Sequence, residues 1–381
     1  MHRIIQFISF TKKIELISRD WNDYCRDNKH NLYFLLKMTE DQNTQPHTEI
    51  SKNVWSRRRF FHHSGVAILA TAFLSSCDAI KDIIPDKDKP DETVTERDKT
   101  LAFFGDSLTI GAGGTASYGS IVGTALQGRP VLSDGIVGQV ASSIAVRQGG
   151  TPLTITIEGN KLDSIKPIKI TKLSNNFLST PTNKDEYSRT GTVDGVRCTI
   201  RRTVNTDLSE MYTITPATVS VADIPANSAF VLEDAARLKT ATQILWYGRN
   251  NVGKSDAETE IITSLDTSIA YITAPARYIV VGVLLAAPEI KGTENYTQVT
   301  TINDKLAAKY GNSFVEMTPP TDTEMAAISY SPTADDLTDL ANLNFPRGMR
   351  ADITTDSIHL NDKGYQIIAN RIVAKIKELE Y

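Results

Sequence analysis

From residue 99 onward, short apolar runs alternate with segments whose apolar residues have helical spacing, and this alternation constrains the fold most strongly. It predicts strands at 100–104, 129–138, 242–248, 277–286 and 313–317, and helices at 116–128, 139–150, 256–273, 294–310 and 362–378. Strands that alternate with helices form a parallel sheet covered by helices on both faces. We therefore predict an α/β fold whose ligands bind beyond the carboxyl ends of the strands.

The rhythm changes over residues 151–240, where Thr, Val and Ile dominate and few helix formers occur. The runs TPLTITIEG, IKPIKITKL, YSRTGTVDGVRCTIRRTV and EMYTITPATVSV predict strands, and Asp194-Gly195 predicts a hairpin turn. We interpret 151–240 as a β-rich module inserted between the two parts of the α/β domain, 99–150 and 241–381. Such a module either grips substrate beside the active site, which we favour, or takes no part in the reaction.

The N-terminal region resembles an export signal. Three arginines, Arg57 to Arg59, precede the apolar stretch 65–74 and the sequence Leu74-Ser75-Ser76-Cys77. The stretch is too short to span a bilayer, so we predict a signal peptide over 38–77. The ending resembles a bacterial lipobox, in which the Cys77 thiol is acylated and becomes the new N-terminus. The sequence SRRRFF also resembles a twin-arginine signal, although an ordinary basic region explains it nearly as well.

This signal begins unusually deep in the chain, so Met38 is a plausible true start. Residues 1–37 are then an upstream extension of the reading frame, the alternative being a leader without function. Residues 78–98 are rich in charge and proline and predict a disordered linker. Together these features predict a protein anchored by lipid to a membrane of the bacterial cell envelope.

Charge and residue counts limit the chemistry. The net charge is −4, and no dense Lys/Arg cluster lies outside the N-terminal region, which argues against nucleic acid as a partner. Cys198 is the one cysteine beyond Cys77, so the mature chain has no intramolecular disulfide. His359 is the one histidine there, which excludes a zinc site with several His or Cys ligands but leaves an all-carboxylate site open. We expect no cofactor.

A serine nucleophile needs a base, a carboxylate that orients the base, and donors for the oxyanion. Ser107 follows the first strand in FFGDSLTIGAG, within a strand-to-helix turn. The segment TTDSIHLND places Asp356 and His359 in one short loop before the last helix, which Asn361 or Asp362 would cap. His359 is the only imidazole base available to the mature domain, and Asp356 would fix its tautomer.

Four blocks resemble the SGNH, or GDSL, hydrolase family: Gly105–Leu108 (G-D-S-L), the glycine turn at Gly138, W-Y-G-R-N-N with Asn250, and D-S-I-H with Asp356 and His359. The resemblance covers 99–150 and 241–381. It implies a flavodoxin-like three-layer sandwich and a catalytic triad of Ser107, His359 and Asp356. It further implies an oxyanion hole formed by the Ser107 amide, the Gly138 amide and the Asn250 side chain, with Asp106 structural.

Two positions depart from the family pattern. Asn251 replaces the usual aspartate of the third block, and Val140 stands where Ser or Thr often follows the glycine of the second block. The G-x-S-x-G elbow of ordinary α/β-hydrolase lipases is absent from the sequence.

Similarity to carbohydrate esterases points to hydrolysis of acetyl esters on a polysaccharide. The alternatives are a lysophospholipase or short-chain lipase, a sugar O-acyltransferase, and a catalytically idle binding lipoprotein. The expected partners are thus an acylated glycan or a small ester, and a membrane.

Overall fold

The computed structural model describes residues 98–180 and 185–381. The predictions for the upstream extension, the signal peptide with Cys77, and the linker up to residue 97 lie outside the described residues. Within the described ranges, no helix is both long and apolar enough to cross a membrane.

Elements are numbered here in chain order. The strands are β1 (Leu101–Gly105), β2 (Val131–Gly135), β3 (Leu153–Ile157), β4 (Lys161–Leu162), β5 (Ile168–Leu173), β6 (Tyr187–Val193), β7 (Val196–Val204), β8 (Glu210–Pro216), β9 (Ala222–Asp223), β10 (Ser228–Leu232), β11 (Thr242–Trp246), β12 (Tyr278–Val281), β13 (Phe314–Val315), β14 (Arg350–Asp352) and β15 (Asp356–Leu360). The α-helices are α1 (Ser107–Ile110), α2 (Tyr118–Ala125), α3 (Ala141–Gln148), α4 (Glu233–Arg237), α5 (Ala257–Tyr271), α6 (Glu294–Tyr310), α7 (Asp322–Ala327), α8 (Ala334–Ala341) and α9 (Asp362–Glu378).

The central sheet has the order β2-β1-β11-β12-β13, and all its strands are parallel. Counted along the sheet strands only, this is the 2-1-3-4-5 order of flavodoxin-like folds. The α/β prediction is therefore confirmed.

Alternate residues of each strand enter opposite layers, because successive side chains of a strand point to opposite faces. In β1, Leu101 and Phe103 pack in a core with residues of α2 and α9. Ala102 and Phe104 pack in a second core with residues of α3, α5 and α6. The sheet is thus buried on both faces, which explains why its central strands are continuous apolar runs.

The β-rich module is a closed six-stranded barrel in the order β10-β3-β5-β8-β7-β6. Asp194 and Gly195 form the β6–β7 turn with positive φ angles of 44° and 80°. Side chains including Cys198, which is buried and free, fill its interior. The same apolar cluster contains Ile136 and Val146, which precede the module in sequence. The core of the barrel therefore extends to these two residues of the α/β domain.

The surroundings of Asp356 and His359 differ from the sequence prediction. We expected a short loop, but both residues lie in β15, which pairs with β14 in an antiparallel hairpin. Neither α7 nor α8 was predicted, although each begins with a threonine capping box, which is a local sequence signal of a helix start. Helices this short are stabilised mainly by packing, so their apolar spacing alone does not identify them.

Candidate active site

The candidate residues gather where three neighbouring strands end. Gly105 of β1 lies in register with Trp246 of β11 and with Gly135 of β2. Ser107, Gly138 and Asn250 each follow one of these strand ends by two to four residues. Because parallel strands present their carboxyl ends at one edge, the chain brings the three blocks together there.

Ser107, His359 and Asp356 form one chain of hydrogen bonds. His359 Nε2 lies 2.7 Å from Ser107 Oγ, and His359 Nδ1 lies 2.7 Å from Asp356 Oδ2. Ser107 is 4% exposed and is the first residue of α1. The structure thus brings together the three residues that the sequence suggested as a triad, although they are separated by up to 252 positions.

The charge of Asp356 defines which histidine nitrogen carries the proton. Burial raises the pKa of Asp356, but hydrogen bonds from the His359 amide and ring outweigh burial and hold this pKa below its ordinary value. An ionised Asp356 can only accept, so Nδ1 of neutral His359 is the donor. The other nitrogen, Nε2, is then free to accept the Ser107 hydroxyl proton.

Several contacts hold the β14–β15 hairpin in place. Gly113 has a φ of 89°, and a Cβ there would lie 2.9 Å from the His359 Cβ, so only glycine allows this close approach. The Ala287 amide donates to the Ser357 carbonyl at 2.7 Å. The buried Arg350 guanidinium donates to the Ser357 and Ile358 carbonyls at 3.3 and 3.4 Å. The hairpin is therefore held by the internal bonds of Arg350, a residue of β14, and by its contacts with Gly113 and Ala287.

Asp106 is almost fully buried beside the serine. Its Oδ1 accepts from the Leu108 amide at 2.9 Å and so caps α1. Burial raises the pKa of Asp106 to about 6, and the Leu108 hydrogen bond offsets this only in part. The geometry agrees with a structural role, because Asp106 orients the turn that carries Ser107.

Asn250 contacts Gln139, the residue that follows Gly138. Asn250 Nδ2 donates to the Gln139 carbonyl at 3.0 Å and to Asp106 Oδ2 at 2.9 Å. These two bonds use both amide hydrogens. Asn250 is therefore at the site, but it can donate to an oxyanion only after one of these bonds is released.

Of the two departures from the SGNH pattern, Asn251 supplies a helix cap that Val140 does not provide. Val140 precedes α3 and provides no side-chain cap. Instead, the Asn251 side chain accepts from the Ala141 amide at 2.9 Å, and Glu260 accepts from the Ser142 amide at 3.1 Å. The third block thus caps the helix that follows the second block.

A buried polar network behind Ser107 was not predicted from the sequence. Arg147 donates to the Gly105 carbonyl at 2.7 Å, to Asp134 Oδ1 at 2.6 Å and to Gln139 Oε1 at 2.9 Å. Arg189 of the barrel also pairs with Asp134. The sequence contained one sign of this network, the charged residue Arg147 among the apolar positions of α3. An arginine at a buried position indicates partners, because it is almost never fully buried without them.

A second buried pair holds the third block. Both terminal nitrogens of Arg249 donate to the Glu289 carboxylate at 2.7 Å, and each partner exposes 7% of its side chain. Such bidentate pairs fix orientation as well as adding energy. Asn250, the next residue, is positioned by this contact.

Among residues 98–180 and 185–381, no group of three or more His, Cys, Asp or Glu side chains is arranged to hold a metal ion. The sequence matches no protein-family model, and no curated protein matches it.

Solved structures that the chain resembles include a protein of the G-D-S-L family, described as lipolytic, from Desulfitobacterium hafniense. It is 10% identical, with a TM-score of 0.38, over 73% of this chain and 99% of that one. An alpha/beta hydrolase from the Lake Arreo metagenome is 13% identical, with a TM-score of 0.37, over 74% and 96%. A protein assigned as an acylhydrolase from Bacteroides fragilis is 14% identical, with a TM-score of 0.37, over 87% and 100%. Similarity at this level carries no conclusion about the reaction of this chain.

Proposed function

We propose that this protein is a serine ester hydrolase in which Ser107 is the nucleophile. The observation that carries the proposal is the continuous chain from Asp356 through His359 to Ser107, with both hydrogen-bond distances at 2.7 Å. A nucleophile, its base and an orienting carboxylate within hydrogen-bond reach are the parts that acyl transfer by serine requires.

The reaction follows from these contacts. His359 Nε2 takes the hydroxyl proton as Ser107 Oγ attacks the ester carbonyl carbon. The tetrahedral intermediate collapses when the bond to the alcohol oxygen breaks and His359 returns the proton to that oxygen. Water, deprotonated by His359, then attacks the acyl-serine ester, and the carboxylic acid leaves as Ser107 regains its proton. Asp356 remains ionised throughout and stabilises the imidazolium.

The oxyanion is stabilised by main-chain donors. Ser107 is the first residue of α1, and the first amides of a helix have no intrahelical acceptor. Gly138 has a φ of 74°, which orients its peptide in a way that other residues rarely allow. Asn250 becomes a third donor when its bond to Asp106 or to Gln139 opens on substrate entry.

The substrate class we propose is an acetyl ester on a polysaccharide. Ser107 is 4% exposed, and we propose that it accepts a short acyl group. A cleft of about 470 Å³ lies between β2 and the barrel; its lining includes Ser133, Ser188 and Thr190 but no residue of the triad. We propose that this cleft, with its hydroxyl and charged side chains, holds a part of the glycan away from the reacting ester. We further propose that the protein is anchored to a membrane of the bacterial envelope through Cys77, so that it acts on envelope or extracellular glycans.

The proposal is tested by measuring ester hydrolysis by the full chain purified in detergent. We expect hydrolysis of p-nitrophenyl acetate and release of acetate from an acetylated xylan. Ser107→Ala should lower kcat by roughly a millionfold, because triad members act as a unit. The matched control is Ser264→Ala, which removes another buried hydroxyl from α5 and should leave turnover unchanged.

Other outcomes distinguish the alternatives. Faster turnover of lysophospholipids than of acetyl esters would indicate a lipase. Transfer of the acyl group to an added sugar acceptor, in competition with water, would indicate an acyltransferase. Absence of turnover, together with no labelling of Ser107 by a fluorophosphonate, would contradict the proposed function and favour a binding lipoprotein.

A further inference from the structure

Gln139, the residue after Gly138, connects the α/β domain to the inserted module. Its side chain is 2% exposed. Nε2 donates to the carbonyls of Phe177 and Ser179, at 2.8 and 2.9 Å, and Oε1 accepts from Arg147 Nε at 2.9 Å. Both hydrogens and the oxygen of the amide are therefore used, and two of the three bonds go to the module.

The contacts extend to both sides of Gly138. Ile136 and Phe177 are both fully buried and belong to the same apolar cluster, which includes the barrel interior. The Gln139 carbonyl meanwhile accepts from Asn250 Nδ2 at 3.0 Å. Segment 136–139 is thus held by an apolar contact on one side of the glycine and by hydrogen bonds on the other.

The barrel reaches the end of β1 by a second path. Arg189 of β6 pairs with Asp134, which also accepts from Arg147, and Arg147 donates to the Gly105 carbonyl at 2.7 Å. Both arginines use the same carboxylate, which is 6% exposed. The module therefore bonds directly to Gln139, next to Gly138, and is connected through Asp134 and Arg147 to Gly105, near Ser107.

Gly138 itself has no side chain through which neighbours could fix its amide. A donor stabilises an oxyanion only when it is oriented in advance toward the place where the charge develops. We propose that the inserted module orients the Gly138 amide through Gln139, which makes Gln139 a positioning residue. The inference rests on the proposed serine esterase function and assigns the module a part in catalysis, rather than substrate binding alone.

The chain offers a matched control in Gln148, at the other end of α3. It is also a fully buried glutamine with three side-chain bonds: Nε2 donates to Gln243 and Ser268, and Oε1 accepts from the Gly150 amide. These partners lie outside the module and outside segment 136–140. Methionine is similar in shape to glutamine but has no amide group. Gln139→Met and Gln148→Met therefore each remove one buried amide, and both should lower the melting temperature.

The expected difference is in catalysis. Gln139→Met should lower kcat by about 10- to 100-fold with KM nearly unchanged, less than the complete loss of an oxyanion donor, whereas Gln148→Met should keep the wild-type kcat. Affinity for a trifluoromethyl ketone, whose serine adduct carries an oxyanion, should fall by the same factor as kcat in Gln139→Met alone. Equal kcat in the two variants, or a change in KM only, would overturn the proposal.

Amide hydrogen exchange over 136–140 measures positioning without turnover. Faster exchange in Gln139→Met than in Gln148→Met supports the inference, and equal exchange refutes it, even if no ester is hydrolysed and the proposed function fails. If Gln139→Met does not fold, Arg189→Met replaces it. Its control is then Arg197→Met, a barrel arginine that pairs with Glu233 at the surface. Faster exchange over 136–140 in Arg189→Met than in Arg197→Met supports the inference, and equal exchange contradicts it.

Discussion

Asp106 gives a pH dependence of stability whose sign and size follow from its surroundings. Burial raises its pKa from 3.8 to about 6 in the folded protein. The folded state then binds more protons than the unfolded state between these values, so the contribution of Asp106 to stability falls as pH rises. The full effect corresponds to about 3 kcal/mol, of which about 2 kcal/mol develops between about pH 4 and about pH 7.5.

The perturbation is Asp106→Asn, which has no charge at any of these pH values and retains an oxygen that can accept from the Leu108 amide. The measurement is urea unfolding of both full-length proteins across this pH range at constant ionic strength. The free energy of unfolding of the wild type, minus that of the variant, should fall by about 2 kcal/mol from the acidic to the neutral end. The test relies on how this difference in free energy changes with pH, and not on its value at one pH, since the substitution also alters the contact with Asn250.

Asp336 provides a control of opposite sign. Burial raises its pKa, but hydrogen bonds from the Thr333 and Gly348 amides outweigh burial and hold the pKa below its ordinary value. Since the folded pKa lies below the ordinary 3.8, the wild type should lose stability relative to Asp336→Asn as pH falls below about 4, and this pair is therefore also measured there. Parallel curves for the wild type and Asp106→Asn, or a signed difference (wild type minus variant) that rises toward neutral pH, would refute the reasoning.

Two further predictions concern the oxyanion hole and the anchor. Asn250→Ala should lower kcat by about 10²–10³ in a steady-state ester assay, the size expected when one oxyanion donor is lost, and a change confined to KM would instead make Asn250 a binding residue. Cys77→Ser should abolish lipid attachment and signal cleavage, measured by mass spectrometry and membrane fractionation, because this thiol is the group that we propose to be acylated. Recovery of the wild type as an unmodified soluble chain that begins before residue 57 would contradict this prediction.

The sequence was sufficient for the sheet and for the identity of the candidate triad. Strands such as Leu101–Gly105 are buried on both faces, so an apolar run reports them directly. His359 could be singled out by counting, because it is the one histidine after His63. Asp356 is only three residues away from it, and so the pair was visible in one segment.

The supporting residues were not predictable in this way. Gln139 and Arg147 look like ordinary polar residues at the beginning and end of a helix, yet both are almost fully buried. Their partners lie up to 42 residues away in the chain, at Gly105, Phe177 and Ser179. A local pattern reports periodicity and the neighbours in the chain, whereas these contacts exist only after the barrel has packed against the sheet.

The sequence by itself therefore determined the α/β alternation, the inserted β-rich module and the one imidazole that could serve as base, since each is encoded in local spacing or in a count. The tertiary structure decided that Asp356 and His359 lie in a hairpin, that the barrel closes and shares its core with Ile136, and that both amide hydrogens of Asn250 already have acceptors. The physical reason is that burial and hydrogen-bond satisfaction are properties of the packed chain. A buried polar group must find its partner wherever the fold places one.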